Sequence, residues 1–263
     1  MAIWEDFELE CTDYLNKRFG TYASFEHQGG SDSTVADIKV ETKSGRVFYI
    51  DAKHCPAQCG QFVLLPDISS GTFKYSPLNA NRINDHAIKI MEFMNDDFDE
   101  FREAGTAGKD INMKNGPKIF ADWITQTYKE KGARLFITND FKIIDINDFS
   151  QHFCVSAKYR IKRSGSSSVG KSRLAAISDC LKNNFHSISS IKSDGDKLFV
   201  TSTTDLHNTR FIYGGYEYMI SARGSVYEVR KLSNTYNANV IFSIALKNSK
   251  KGLSDDEFIA FLR

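Results

Sequence analysis

Two stretches decide how this chain is read: Ser31-Asp32-Ser33-Thr34-Val35-Ala36-Asp37-Ile38-Lys39, and then Phe48-Tyr49-Ile50-Asp51-Ala52-Lys53. Val35–Glu41 and Arg46–Lys53 read as strands, and Lys43-Ser44-Gly45 between them supplies a tight hairpin turn. Asp37 opens the first predicted strand, and Asp51 and Lys53 end the second. Side chains in a strand alternate, so Asp51 and Lys53 share a face and Ala52 takes the other. The hairpin carries Asp37 to the same end of the sheet. Two carboxylates and an ammonium are therefore expected to converge just beyond an apolar core. Bare like charges about 4 Å apart repel by roughly 4 kcal/mol at an effective dielectric near 20, so the arrangement calls for compensation. A divalent cation supplies it, and hard oxygen donors suit Mg²⁺, which takes one or two carboxylates and keeps several waters.

Outward from this hairpin, residues 3–19 show a helical stripe of Trp4, Phe7, Cys11, Tyr14, Leu15 and Phe19, with Glu8 set inside it. Residues 22–27 read as a further strand. Helical patterns follow over 78–103 and 117–131, the second stopped by Gly132. Leu135-Phe136-Ile137-Thr138 and Phe141-Lys142-Ile143-Ile144 suit buried strands. The expectation is an α/β fold, a mixed sheet flanked by helices. Beyond it the pattern changes. A basic Ser/Gly tract leads to a helix at 173–185, and strands follow at 197–203, 210–222, 225–232 and 238–246. The expected division is a core over 1–154 and a β-rich region over 155–263, serving recognition or dimerisation.

The order helix, strand, Asp-bearing strand, Asp-X-Lys strand, helix, strand, over about residues 4–146, resembles the PD-(D/E)XK nuclease superfamily, which includes most type II restriction endonucleases. On that resemblance the core is restriction-endonuclease-like, Asp37 matches the first acidic position, Asp51 the second and Lys53 the lysine. Phe7-Glu8 resembles the Phe-Glu pair that opens some type IV restriction nucleases and holds an active-site Glu. Gln61 is similar to the glutamine that follows the lysine strand in several branches, with Gln58 the second choice and Asp32 a lesser acidic candidate. Two positions depart from the common pattern: Ala36 stands where Pro is usual, and Asp51 where Glu is commoner. The resemblance implies Mg²⁺-dependent, sequence-specific hydrolysis of double-stranded DNA, with Glu8, Asp37, Asp51 and the Ala52 carbonyl as metal ligands. Lys53 would serve the attacking water and Gln61 would position the lysine or a phosphate. It also implies a homodimer, one active site per strand. A partner DNA methyltransferase is compatible with it, though nothing in the chain displays one.

The net charge of +1 points to no class of partner, so the local distribution matters more. From Val155 to Ser178 there are six Lys or Arg residues and no Asp or Glu. Arg160, Lys162, Arg163, Lys171 and Arg173 are the candidates for DNA-phosphate contacts, an exposed solvated loop being the bland alternative. Within this tract Gly165-Ser166-Ser167-Ser168-Val169-Gly170-Lys171-Ser172 satisfies the phosphate-binding pattern G-x-x-x-x-G-K-[ST]. The preceding run alternates with charges, however, where a nucleotide-binding fold has a buried apolar strand. His54, Cys55 and Cys59 carry weak zinc spacing, with His152 and Cys154 as remote partners. The five scattered cysteines make a poor disulfide framework. With no signal-peptide pattern and no apolar run of membrane-spanning length, a cytoplasmic location is the expectation. Competing readings are a repair or junction nuclease, a non-enzymatic DNA-binding protein on a nuclease-like core, and a nucleotide-binding protein.

Overall fold

The computed structural model describes residues 3–28, 36–163, 165–233, 236–247 and 251–263, with the side chains of residues 3, 4 and 163 outside that description. Asp32 and the side chains of Trp4 and Arg163, all named above, lie outside it. In chain order the elements are α1 (Ile3–Phe19), β1 (Ala23–His27), β2 (Ile38–Thr42), β3 (Val47–Lys53), β4 (Ala57–Asp67), β5 (Thr72–Tyr75), α2 (Asp85–Asp96), α3 (Phe98–Arg102), β6 (Lys109–Asp110), α4 (Gly116–Glu130), β7 (Ala133–Thr138) and β8 (Lys142–Asp145). They continue with α5 (Phe149–His152), β9 (Phe153–Arg163), β10 (Ser166–Ser167), α6 (Leu174–Asn184), β11 (Ile188–Asp194), β12 (Lys197–Ser202), β13 (Arg210–Tyr213), β14 (Tyr216–Arg223), β15 (Val226–Leu232), β16 (Tyr236–Leu246) and α7 (Asp255–Leu262). No described helix is long and apolar enough to cross a membrane.

Two compact units result, Met1–Arg160 with Ala238–Arg263, and Ile161–Asn237. In the first, one sheet has the order β1-β2-β3-β7-β8. β1, β2 and β3 form an antiparallel meander, β3 and β7 run parallel, and β8 returns antiparallel. The predicted α1 stripe is realised: Phe7, Cys11, Leu15 and Phe19 are buried against Ile38, Val40, Ile50 and Leu135 of this sheet. Each fully buried Leu or Phe contributes about 1.5–3 kcal/mol relative to exposure. α7 closes the same core with Phe258 and Leu262, and a capping box between Ser254 and Glu257 fixes its start. α4 begins with Pro117 in its first turn and ends where Gly132 turns to φ +84°. A second sheet of this unit has the order β5-β4-β16-β9-β6. The other unit is an antiparallel sheet, β11-β12-β15-β14-β13, with β10 on β15 and α6 packed through Ile177 and Leu181 onto Leu198, Val200, Ile220 and Val229.

Three expectations need correction. The helix read over 78–103 starts only at Asp85, capped by Asn84, and is interrupted at Asp97. Pro77 and the Asn residues after it favour a loop over the first part of that range. The strand read over 210–222 is a hairpin, β13 and β14, turning at Gly214-Gly215, both at positive φ. The boundary expected at 154/155 differs from the observed units, because β16 pairs with β4 and α7 with the first core, returning 238–263 to the first unit.

Candidate active site

The β2–β3 pairing sets Ile38 opposite Ile50, and so brings the residue before β2 beside the end of β3. Asp37 Oδ2 accepts a hydrogen bond from the Ala52 backbone N–H at 2.8 Å. Lys53 Nζ lies 2.6 Å from Asp51 Oδ2 and 3.5 Å from Asp37 Oδ2, and donates to the Ala52 carbonyl at 3.2 Å. Asp37, Asp51, Ala52 and Lys53 are thus one cluster at a strand end, in the arrangement that strand alternation requires. Asp51 is only 3% exposed. Burial, and next the negative charge of Asp37, push its carboxyl well above the usual carboxylate range, against the pull of Lys53. Burial also opposes the charge of Lys53, but the attraction of Asp51 overrides it and holds the ammonium well above its ordinary value. Asp51 Oδ2 is buried without a well-formed hydrogen bond, so its compensation is ionic.

Glu8 projects from the second turn of α1 and is 7% exposed. Its Oε2 lies 3.0 Å from His27 Nε2 on β1. Burial raises the Glu8 carboxyl, the His27 bond opposes this, and the charges of Asp37 and Lys53 both reach it. Among the described residues, no three Asp, Glu, His or Cys side chains are gathered closely enough to hold a metal ion. Glu8 takes His27 as its hydrogen-bond partner, while Asp37 and Asp51 meet at Lys53. The Asp37–Asp51 pair, the Ala52 carbonyl and the ionically compensated Asp51 oxygen do fit Mg²⁺, which needs no more than two carboxylates.

A cavity of about 260 Å³ opens on the cluster, lined by Asp37, Asp51, Lys53, Gln58 and Gln61, and walled by Trp123, Tyr128 and Lys131 of α4 and its cap. Gln61 Oε1 accepts from Gln58 Nε2 at 3.3 Å and from Asn239 Nδ2 at 3.2 Å, so it faces the cavity but is bonded within the β4–β16 sheet. Gly60 lets this wall close up to the strand. It sits at φ +90°, and a Cβ there would come 2.8 Å from the Trp123 ring. Trp123, Tyr128 and Lys131 were not among the expected site residues. The helical spacing of Trp123, Thr127 and Lys131, one face of α4 at intervals of four, is the signal that could have found them.

The basic tract divides. Arg160 lies in the first unit and, with Lys158 and Gln58, borders a second cavity. Lys162 and Lys171 are exposed. The Arg173 guanidinium stacks over Tyr216 at 4.2 Å and donates to the Tyr218 hydroxyl at 3.3 Å. The Gly165–Ser172 stretch does not form a phosphate cradle between a buried strand and a helix. Ser166-Ser167 pair antiparallel with β15, and the Gly170 N–H donates to the Asp196 carbonyl at 3.0 Å. Cys55 and Cys59 are buried thiols, and Cys154 is exposed.

No family model and no curated protein matches the chain. Among solved structures, HhaI endonuclease in complex with DNA is 39% identical, with 99% of this chain and 98% of that chain covered and a TM-score of 0.74.

Proposed function

This chain belongs to the restriction-endonuclease family of HhaI endonuclease, and from that premise we propose that it is a DNA endonuclease that cuts double-stranded DNA at a specific sequence with Mg²⁺. The observation that carries the chemical part of this reading is the convergence of Asp37, Asp51 and Lys53 at 2.6 and 3.5 Å in one cavity.

Asp37, Asp51 and the Ala52 carbonyl would hold Mg²⁺, which when bound would supply Lewis-acid stabilisation of the negative charge that develops on oxygen during the displacement. Lys53, kept protonated by its two carboxylates, acts as a donor whose Nζ orients the attacking water. Glu8 adds negative charge behind Asp37, and its bond to His27 keeps it in place. Gln61, anchored to Asn239, gives the cavity an amide for the DNA backbone. Aromatic walls from Trp123 and Tyr128 limit solvent around the reacting phosphate.

The test is digestion of a fully sequenced phage genome with and without Mg²⁺, followed by sequencing of the ends. Ends that share one short motif, formed only with the metal, are expected. Cleavage confined to branched or damaged duplexes would replace this reading with a repair nuclease, and no nicking at high protein would remove the enzymatic reading.

A further inference from the structure

Among the described residues, four charged ones line the cavity: Asp37, Asp51, Lys53 and Lys131. Lys53 is committed to both carboxylates, at 2.6 and 3.5 Å. Lys131 comes from a separate element, the cap that ends α4, and the sequence pattern assigns it no role. Helical side chains lean toward the N-terminus of their helix, so Lys131 reaches back over the preceding turn. Its Nζ stands 5.2 Å from the centroid of the Tyr128 ring, and Lys53 Nζ stands 5.7 Å from the same ring. The backbone under Lys131 is fixed as well. The Gly132 carbonyl accepts the Tyr49 N–H of β3 at 3.1 Å, and a Cβ at Gly132 would meet the Tyr49 ring at 3.0 Å.

We propose that Lys131 is a second catalytic lysine, which binds a non-bridging oxygen of the phosphodiester being cut and stabilises the charge that develops on it. This rests on the nuclease reading above. With a metal on the two carboxylates and Lys53 on the water, Lys131 is the second cationic side chain among the described residues that line the cavity, and it is placed to meet a phosphoryl oxygen. A lysine that acts this way differs from a general DNA-phosphate contact in what it changes. It acts mostly on the rate of the bound complex, because the oxygen it faces gains charge only as the reaction proceeds.

The test uses Lys131→Met, which keeps length without charge, and Lys131→Arg, which keeps charge. A duplex carrying a cut site mapped with the wild-type protein is the substrate. Single-turnover cleavage is measured with Mg²⁺, affinity for the same duplex with Ca²⁺, and folding by circular dichroism and thermal melting. The expected result is a loss of about 10²-fold in rate for Lys131→Met with affinity changed less than about threefold. Recovery of at least about tenfold by Lys131→Arg is expected with it. A folded Lys131→Met protein that cuts at the wild-type rate overturns the assignment while leaving the nuclease reading intact. So does a loss confined to affinity. Failure of the wild-type protein to cut any duplex would instead overturn the nuclease reading, and this assignment with it.

Discussion

At the scale of single residues, the weight falls on Lys53. Its ammonium is the near partner of a carboxylate that has almost no contact with water, and it also touches the second carboxylate and the carbonyl between them. Lys53→Ala puts a residue that a strand end accommodates in place of the donor that orients the attacking water. Cleavage is expected to fall by about 10³-fold while the fold and DNA binding in Ca²⁺ persist. A gel assay on a mapped duplex checks this, and wild-type-like cutting would sink the role given to Lys53. Asp37, Asp51 and Lys53 were legible in the sequence because strand alternation is a rigid rule: a pair two apart on a strand, opposite an acid at the start of its hairpin partner, has one spatial solution. Glu8 was legible as a polar residue inside an apolar stripe. Its bond to His27 was not, since nothing in β1 marks which side of the strand meets α1.

At the scale of elements, the legible parts were those with an uninterrupted period: α1, α4 and the β2–β3 hairpin. β4 was hidden because Gly60 and Pro66 punctuate it like a loop. The structure explains Gly60 through Trp123, whose ring occupies the place of a side chain. Gly60→Ala combines a positive φ with that clash, and is expected to cost about 2–4 kcal/mol in urea unfolding. A change below about 0.5 kcal/mol would mean that the Trp123 wall yields freely. β15 carries a different device. Glu228 is buried between Arg223, at 3.0 Å, and Arg230, at 2.9 Å. Burial raises its carboxyl, but the two arginine bonds outweigh this and hold it below the ordinary value of 4.5. A lowered folded value contributes stability above the unfolded pKa and loses it as pH falls through the folded one. Glu228→Gln should therefore cost about 1–2 kcal/mol near neutrality, discounted for the exposure of Arg223. The difference from wild type should close as pH drops below the Glu228 range. Melting curves at several pH values decide it, and a constant difference down to pH of about 3 would show that the carboxylate charge is not what stabilises β15.

At the scale of the whole molecule, two features went beyond what the sequence displayed. The return of β16 and α7 to the first unit is a long-range pairing, and local patterns carry no information about it. The number of copies that act together is likewise not written in any one segment. Each chain carries one Asp37–Asp51–Lys53 set. A homodimer, as the family resemblance implies, predicts sedimentation at twice 29.7 kDa and direct conversion of supercoiled plasmid to linear product. Sedimentation at 29.7 kDa, with nicked circles accumulating first, would replace the dimer by one site used twice. Affinity raises a related question, because a net charge of +1 gives the molecule little overall attraction for DNA. Binding must come from local charge. Lys162 and Lys171 are exposed members of a tract with no acidic residue, and each is proposed to neutralise one phosphate. Each phosphate contact adds about 0.9 to the slope of log affinity against log salt. Lys162→Ala with Lys171→Ala should lower that slope by about 1.8, weaken binding to specific and random duplexes alike, and leave the cleavage rate of the bound complex unchanged. Titrations in Ca²⁺ from low to moderate salt measure the slope directly. An unaltered slope would assign the tract to solvent and move the phosphate contacts to other cations.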